Sequence, residues 1–247
     1  MLLQFDATGG CGQSEACEEA RPAPAVAWAA PRSWYARAKA AGDYLAACCL
    51  LVPAAPLILL SALLVKLTSR GPAIYRQERL GHGGRPFVFY KFRSMTVGND
   101  DSEHRVFTAN FVKGDAVGGM DAKPAAGAAP FKIKSDSRIT RLGAFLRRTS
   151  IDELPQLYNV LKGDMSLVGP RPALPYETQH YQAWHLRRIL TVRPGITGIW
   201  QVHGRSRVTF NEMVRMDLRY INECSLWLDL KILLKTIAVV LSTEGAG

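Results

Sequence analysis

The sequence predicts a mainly α-helical protein with a small β element and one segment that enters a membrane as a helix-hairpin. Three observations lead to this prediction. Residues 44–65 contain no charged side chain, apolar residues recur at helical spacing from Ile139 onward, and one short aromatic stretch lies between turn signals. With 48% hydrophobic and 21% charged residues among 247, the chain is neither disordered nor fibrous.

The N-terminal segment differs in composition from the rest of the chain. Residues 1–31 are rich in Ala, Gly, Pro and Glu and show no sustained period. This composition is typical of a flexible tail, to which we assign residues 1–40. A signal peptide is excluded, because no basic start precedes an apolar run with a small-residue cleavage site.

The membrane segment is assigned to residues 41–68, around the uncharged run Tyr44–Val65. A continuous helix of these 22 residues, rising about 1.5 Å per residue, just reaches across a hydrocarbon core of about 30 Å. Pro53 and Pro56 lie at its middle, where each removes a backbone donor. Basic residues flank both ends, whereas a span has its excess on the cytoplasmic side only. The sequence therefore favours a re-entrant hairpin over a kinked transmembrane span, and a buried helix of a soluble protein less still.

Residues 69–247 are assigned to one cytoplasmic domain. Turn signals at residues 81–84 precede the strand-like stretch PFVFYKF, so we expect a short β hairpin here. Residues 98–130 show weak periodicity and are interpreted as a long loop or an excursion from the core. The apolar stripes after Ile139 predict amphipathic helices, suited to core packing or to a bilayer interface, and for the last helix both interpretations stay open.

The charge balance indicates the kind of partner. Lys and Arg number 31 and Asp and Glu number 21, a net charge of +10. This excess favours nucleic acid, an anionic membrane surface or a phosphorylated substrate. A nucleic-acid-binding module leaves the uncharged run without a purpose, so nucleic acid is not the expected partner. Five cysteines without a Cys-x-x-Cys pair indicate reduced thiols facing the cytosol, not disulfides or a zinc site.

Two adjacent carboxylates, Asp152 and Glu153, lie in the basic stretch RRTSIDELPQ. In a structural interpretation, Ser150 and Glu153 form a capping box at a helix start. In the competing register the helix begins at Pro155, because proline favours the first helical position, and it stops at Gly163. The pair then lies before the helix, presented and not buried, with backbone amides and arginines to hold it ionised as a nucleophile or metal ligand requires.

Several arginines lie beside Pro and Gly turns near this pair. Their planar forks suit phosphate oxygens, and rigid turns fix where the forks point. The candidate phosphate-binding residues are Arg147, Arg171, Arg193 and Arg205. Adjacent carboxylates suit a hard divalent ion, and Mg²⁺ is the usual partner of diphosphate substrates. Asp152 and Glu153 are therefore the candidate metal ligands, and Asp164 is a further one for which a helix-end role is equally open.

Three stretches occur in order along the chain: KFRSM, DSRITRLGAFLRRTSIDELPQLYNVLKGDMSLVGPRP and RPGITGIWQVHGRS. Together they resemble the bacterial sugar transferases, the monotopic phosphoglycosyl transferases, over roughly residues 40–247. The resemblance implies an enzyme that transfers sugar 1-phosphate from a nucleoside-diphosphate sugar, expected to be a UDP-sugar, to polyprenyl phosphate, usually undecaprenyl phosphate, and releases UMP. This reaction begins exopolysaccharide, O-antigen or glycoprotein glycan assembly. The implied location is the bacterial inner membrane, with the catalytic domain facing the cytoplasm.

The resemblance also implies roles for individual residues. The Asp of the family's pair, here Asp152, attacks the sugar-linked phosphorus and forms a phosphosugar-enzyme. The Glu of that pair, here Glu153, helps to bind Mg²⁺. Arg171, together with Arg147 and Arg205, matches family positions that contact phosphate or substrate.

The membrane segment resembles the family's with one difference. Pro56 falls where the family's re-entrant helix breaks, and Ala55 stands where a Ser often precedes that proline. Larger members have four preceding membrane spans and a further domain, so this chain is expected to be a minimal catalytic form, and a homodimer is left open. The alternative function is a noncatalytic membrane scaffold of a polysaccharide assembly complex, for which Asp152→Asn leaves function intact.

Overall fold

The structure of the protein is a computed structural model that describes residues 33–96, 102–113, 138–203 and 208–242, so residues 1–32 of the predicted tail lie outside it. Its helices are α1 (Ser33–Thr68), α2 (Ser102–Lys113), α3 (Arg141–Arg148), α4 (Gln156–Leu161), α5 (Ala183–Leu190), α6 (Ile199–His203), α7 (Phe210–Glu223) and α8 (Leu226–Ser242). Its strands are β1 (Ile74–Leu80), β2 (Pro86–Phe92), β3 (Ser166–Val168) and β4 (Gly195–Thr197). The described part of the chain is therefore mainly α with a small β element, as predicted.

Helix α1 is one continuous helix that contains Pro53 and Pro56, both on its exposed side. A turn between two half-helices, predicted at these prolines, is not confirmed. Each proline removes only its own backbone donor, so the remaining hydrogen bonds can maintain the helix through this region. By length and composition α1 could cross a membrane, and it starts before residue 41, where the membrane segment was expected to begin.

Both ends of α1 pack on the same domain. Near its start Tyr35 is buried. Near its end Val65 is buried in a cluster with Phe92 and Leu146. The opposite side of the helix exposes large apolar side chains: Leu45, Val52, Leu59 and Leu67 are 63%, 77%, 70% and 72% exposed. Helix α1 thus has one side on the domain and one apolar side uncovered by protein.

The predicted hairpin is confirmed as strands β1 and β2. They pair antiparallel, with Ile74 opposite Phe92. Gly83 and Gly84 in the connection have φ values of 71° and 73°, a region that glycine adopts without steric cost. The glycines that signal a turn in the sequence therefore form the connection between the two strands.

The side chain of Asn159 joins α4 to the edge of β2. Its Oδ1 accepts a hydrogen bond from the Tyr90 amide at 3.2 Å, and its Nδ2 donates to the Val88 carbonyl at 2.6 Å. Asn159 is fully buried, where an unpaired amide would be costly. These two bonds therefore hold the helix that follows the acidic pair against the hairpin.

The segment 98–130, interpreted from the sequence as a long loop or an excursion from the core, contains helix α2. Phe111 and Val112 of α2 are buried in a cluster with Phe210 and Val214 of α7. The long-loop alternative was wrong for these residues, because α2 has only a short apolar side, which packing on α7 stabilises. Residues 114–137 lie outside the described part.

Strands β3 and β4 pair in parallel inside the main core, where Met165 and Val168 are both buried. Close approach of the backbones requires glycine. A Cβ atom at Gly195 would lie 2.1 Å from the backbone nitrogen of Gly169. The turn that follows β3, residues 169–172, is therefore fixed against the start of β4.

A group of polar side chains, here called the α1–α8 clamp, joins the start of α1 to α8. Its members are Tyr35, Lys39, Asp43, Ser166, Tyr220 and Asp229. Asp229 accepts hydrogen bonds from Tyr35 at 2.9 Å and from Tyr220 at 2.7 Å. On its other side α8 exposes Trp227 and Leu234. The last helix therefore has both a core side and an exposed apolar side.

Candidate active site

The acidic pair lies on a single 3₁₀ turn, Ile151–Glu153, between α3 and α4. Ser150 before it is left-handed, with φ 56° and ψ 17°, and its side chain makes no capping hydrogen bond. The capping-box interpretation is therefore wrong. Helix α4 begins directly after Pro155 and ends before Gly163, whose φ is 79°. The proline register predicted from the sequence is confirmed.

Burial affects both carboxyl groups, although the two residues differ in overall exposure. Asp152 is buried, with 8% of its surface exposed, and Glu153 is half-buried. The prediction of a presented pair is wrong for Asp152. The reason is tertiary, since the 3₁₀ turn packs against β2 of the hairpin, which is distant in sequence. A carboxylate in this place is shielded from bulk water.

Four basic side chains, here called the cation cluster, act on the pKa values of the pair. They are Arg79 of β1, Lys91 of β2, Arg147 of α3 and Arg171 of the turn after β3. Arg79 and Lys91 lie on the same face of the hairpin, because cross-strand partners and every second residue point the same way. Four positive groups therefore face two carboxyl groups.

The turn bearing Arg171 is held by strand β1. Nη1 of Arg79 donates to the Pro172 carbonyl at 2.9 Å, and the Leu80 amide donates to the Ala173 carbonyl at 2.9 Å. Both bonds hold the two residues that follow Arg171 in the chain. They fix the backbone from which its guanidinium extends.

Arg147 is positioned by the end of strand β2. Its Nε donates to Ser94 Oγ at 2.8 Å. Helix α3 lies directly on this backbone: a Cβ at Gly143 would lie 2.0 Å from the Ser94 carbonyl oxygen. The Thr140 amide also donates to that oxygen at 3.1 Å. The stretch KFRSM therefore supplies Lys91 and the support for Arg147.

Burial controls the protonation of the pair. It raises the pKa of Asp152, and Lys91 and Arg147 oppose that shift. Burial and the charge of Asp152 raise the pKa of Glu153 to about 7, against the effect of Arg171. The arginines do favour the ionised pair, as predicted, but desolvation outweighs them.

The cations are affected in the opposite direction. Burial, with the like charges of Arg147 and Arg79, lowers the pKa of Lys91 to about 8. Burial, with the charge of Arg171, lowers the pKa of Arg79 to about 10. A bound anion reduces the repulsion among positive groups that lie together in a buried space. The negative charge of a phosphate group suits such a cluster.

Comparison with known proteins identifies the family. The model of the family described as bacterial sugar transferase matches residues 34–243. This protein belongs to the bacterial sugar transferase family. The match extends from the start of α1 to the end of α8, so it includes both carboxylates and the cation cluster.

Three relatives illustrate the range of the bacterial sugar transferase family. A galactosyl transferase, CpsE, of Streptococcus agalactiae is 49% identical over 71% of this chain and 36% of its own length. An undecaprenyl-phosphate galactose phosphotransferase of Salmonella typhimurium is 43% identical over 83% of this chain and 40% of its own length. A UDP-glucose:undecaprenyl-phosphate glucose-1-phosphate transferase of Caulobacter vibrioides is 42% identical over 83% of this chain and 70% of its own length. The chain thus spans well under half the length of the first two relatives.

Mg²⁺ stays a prediction for this bacterial sugar transferase, and the two carboxylates are its candidate ligands. Among the described residues, no group of three or more His, Cys, Asp or Glu side chains could hold a metal by itself. Mg²⁺ in such sites usually takes one or two carboxylates and completes its shell with water and substrate phosphates. A divalent cation would also relieve the repulsion between Asp152 and Glu153. Asp164 instead pairs with Lys162 at 2.9 Å, beside the end of α4.

Two of the predicted phosphate-binding arginines are not placed at the pair. Arg205 lies outside the described residues. Arg193 is exposed and lines a separate cavity of about 330 Å³ with Tyr35 and Lys39. Its charge is not among the principal ones that act on the pair. The motif RPGITG therefore contributes its glycines to the core and its arginine to another surface.

Sequence reasoning missed Arg79 and Lys91 as site residues. A signal was present, because both lie at alternate positions of strand-like segments, where an inward-pointing cation among apolar neighbours is unusual. Which face of the hairpin meets the acidic pair depends on packing, and the strand pattern does not specify it.

Proposed function

We propose that this protein transfers a sugar 1-phosphate from a UDP-sugar to undecaprenyl phosphate or a related polyprenyl phosphate, the initiating step of a bacterial glycan. The observation that supports this most is the Asp152–Glu153 pair, shielded from water beside four cations. Such a site attracts a diphosphate and offers it a carboxylate nucleophile. The names of the Salmonella and Caulobacter relatives support the acceptor, and the Caulobacter name supports the donor.

In the first step a carboxylate oxygen of Asp152 attacks the phosphorus that bears the sugar. A bond forms between this oxygen and phosphorus, and the bond from phosphorus to the bridging oxygen of the diphosphate breaks. UMP leaves with the bridging oxygen, and the sugar phosphate stays on Asp152. In the second step a phosphate oxygen of the polyprenyl phosphate attacks the same phosphorus and releases the Asp152 carboxylate.

The cation cluster and Glu153 support both steps. Arg147 and Arg171, each attached to a fixed backbone, lie close enough to influence the pair and are suited to bind the equatorial oxygens of the transferred group. Lys91 is suited to stabilise the negative charge that develops on the leaving phosphate. Mg²⁺ held by Glu153 and the diphosphate would neutralise charge on the leaving group. Shielding from bulk water limits hydrolysis of the phosphosugar on Asp152.

The acceptor dissolves in lipid, so the site must lie near a membrane. The exposed apolar sides of α1 and α8 are suited to the bilayer, and both ends of α1 pack on one domain. We therefore propose that both ends of α1 lie on the cytoplasmic side of the inner membrane, in a re-entrant arrangement that requires the continuous helix to bend at Pro53 and Pro56. Single cysteines at Ser33 and Thr68, in a chain without its native cysteines, should both react with an impermeant thiol reagent from that side. Reaction from opposite sides would establish a span.

The covalent intermediate provides the decisive test. The purified protein is incubated with UDP-sugars labelled in the sugar-bearing phosphate, with Mg²⁺ and without acceptor. We expect label on the protein, mapped to Asp152, and its transfer to lipid when polyprenyl phosphate is added. The control is Asp152→Asn, which should remain unlabelled. Failure to label folded protein with every donor tried would reject the mechanism, and a screen for UMP release identifies the sugar.

A further inference from the structure

A buried chain of polar side chains extends from the cation cluster into the domain. It is here called the inner relay and consists of Asp217 of α7, Arg188 of α5, Tyr181 and Glu177. Arg188 Nη1 lies 3.1 Å from Asp217 Oδ2, and both side chains are 1% exposed. Arg188 Nη2 donates to the Tyr181 hydroxyl at 2.5 Å, and that hydroxyl donates to Glu177 Oε2 at 3.2 Å. Two segments that are distant in sequence, residues 177–188 and helix α7, are thus joined by one hydrogen-bonded path.

The inner relay ends on the segment that carries Arg171. Glu177 Oε2 also accepts a hydrogen bond from the Leu174 amide at 3.1 Å. Arg79 holds the same segment from the other side, through the Pro172 carbonyl. The backbone on the C-terminal side of Arg171 is therefore fixed by two unrelated elements, strand β1 and the inner relay.

The charge of Arg171 acts on both the acidic pair and the inner relay. Its charge lowers the pKa of Glu153 on one side and that of Asp217 on the other. Burial raises the pKa of Asp217, and the guanidinium of Arg188 opposes that shift. Signs thus alternate from Glu153 through Arg171 and Asp217 to Arg188.

Stability alone does not explain this buried ion pair. A buried ion pair adds little net stability compared with apolar residues of the same volume, because both charges lose their hydration. It does specify one geometry, since each partner is satisfied only when the others are in place. The geometry at stake here is that of the turn bearing Arg171.

We propose that Asp217, Arg188 and Tyr181 are positioning residues that hold the Arg171 guanidinium in place for the phosphoryl group. This inference rests on the proposed function, because Arg171 needs a phosphoryl group to act upon. None of the three has to touch substrate. They act through the backbone from Pro172 to Leu174.

The test uses Tyr181→Phe, which removes one hydroxyl and keeps the ring. That ring packs against Phe210, with centroids 5.2 Å apart, so the fold should be preserved. The matched control is Thr236→Val, which removes one hydroxyl from the pair formed with Thr197 at 2.8 Å, between β4 and α8. Each change is made in the full chain and also in an Arg171→Gln background.

We expect Tyr181→Phe to lower kcat about tenfold with KM for the donor within about twofold, because Arg171 is then misplaced mainly in the transition state. In the Arg171→Gln background the same change should lower kcat less than about twofold, since no guanidinium remains to be positioned. Hydrogen exchange of the Leu174 amide should accelerate in Tyr181→Phe. Thr236→Val should change neither kcat nor this exchange rate.

Two outcomes overturn the inference. One is an unchanged kcat in Tyr181→Phe. The other is an equal loss of kcat in both backgrounds, which indicates a general structural defect. The proposed function fails separately, if the unaltered protein transfers no sugar phosphate from any donor. In that case faster exchange at Leu174 still supports the positioning of the turn, and unchanged exchange refutes it.

Discussion

The candidate active site and the α1–α8 clamp are both clusters of charged side chains withdrawn from water, yet they differ in charge balance. In the clamp, Lys39 lies 3.5 Å from Asp43 and 3.1 Å from Asp229. The two carboxylates also accept hydrogen bonds from hydroxyl groups, such as that of Ser166, which donates to Asp43 Oδ2 at 2.6 Å. At the active site four cations face two carboxyl groups whose pKa values are raised by burial.

This difference in charge balance distinguishes a structural cluster from a ligand-binding one. A cluster in which donors match acceptors stabilises one arrangement of the elements that it joins, here α1 and α8. A cluster with surplus charge is costly in the free protein, and that cost is recovered when a ligand of opposite charge binds. The same kinds of residue therefore join two helices in the α1–α8 clamp and form a substrate site at the candidate active site.

The largest expected contrast comes from the same substitution in the two regions. Asp152→Asn should lower transfer by at least about 10³-fold, because the nucleophile is lost, while the melting temperature stays the same or rises. Asp229→Asn should instead cost about 3 kcal/mol of stability, because Lys39 and two tyrosine hydroxyls lose a charged acceptor in a buried place.

Transfer assays and thermal unfolding in the same detergent measure both variants. Activity per folded molecule of Asp229→Asn should stay within about fivefold of the unaltered protein. A stable and inactive Asp229→Asn, or an active Asp152→Asn, would reverse the assignment of the two regions.

The next contrast concerns two arginines that look equivalent in the sequence. Arg171→Gln should lower kcat by about 100-fold, because a phosphate-binding guanidinium is lost beside the nucleophile. Arg193→Gln should have a much smaller effect, about tenfold at most, since Arg193 lines the other cavity. Steady-state kinetics with one donor compares the two. Equal losses would mean that Arg193 reaches the substrate after all.

The smallest expected effect concerns Glu153 and pH. Its pKa in the folded protein, about 7, exceeds the ordinary value of 4.5, so between these two values the folded state binds more protons. Stability contributed by the protonated group is therefore present below about pH 4.5 and is lost as the pH rises through 7. Glu153→Gln avoids this loss and should be more stable by about 1–2 kcal/mol at pH 8 without Mg²⁺.

Unfolding curves in EDTA at pH 4.5 and pH 8 test this expectation. The variant and the unaltered protein should have similar stability at the lower pH. A Glu153→Gln protein that is less stable at pH 8 would show that the ionised carboxylate is well satisfied without metal.

Local features of the structure were predictable because neighbouring residues decide them. Pro155 set the start of α4, and the glycines after β1 set the hairpin. The Asp152–Glu153 pair and Arg171 were found because they occur in ordered motifs. Helix α2 was missed, since its few apolar residues form a side only against α7.

The sequence by itself determined the β hairpin, the uncharged helix suited to a membrane, the register of the acidic pair and the family. Each depends on period, turn chemistry or motif, which act over short stretches of chain. Only the tertiary structure decided that Asp152 is buried, that Arg79 and Lys91 join it, and that Arg193 does not. These outcomes depend on which faces of distant elements pack together, and packing is fixed by the whole core and not by any one segment.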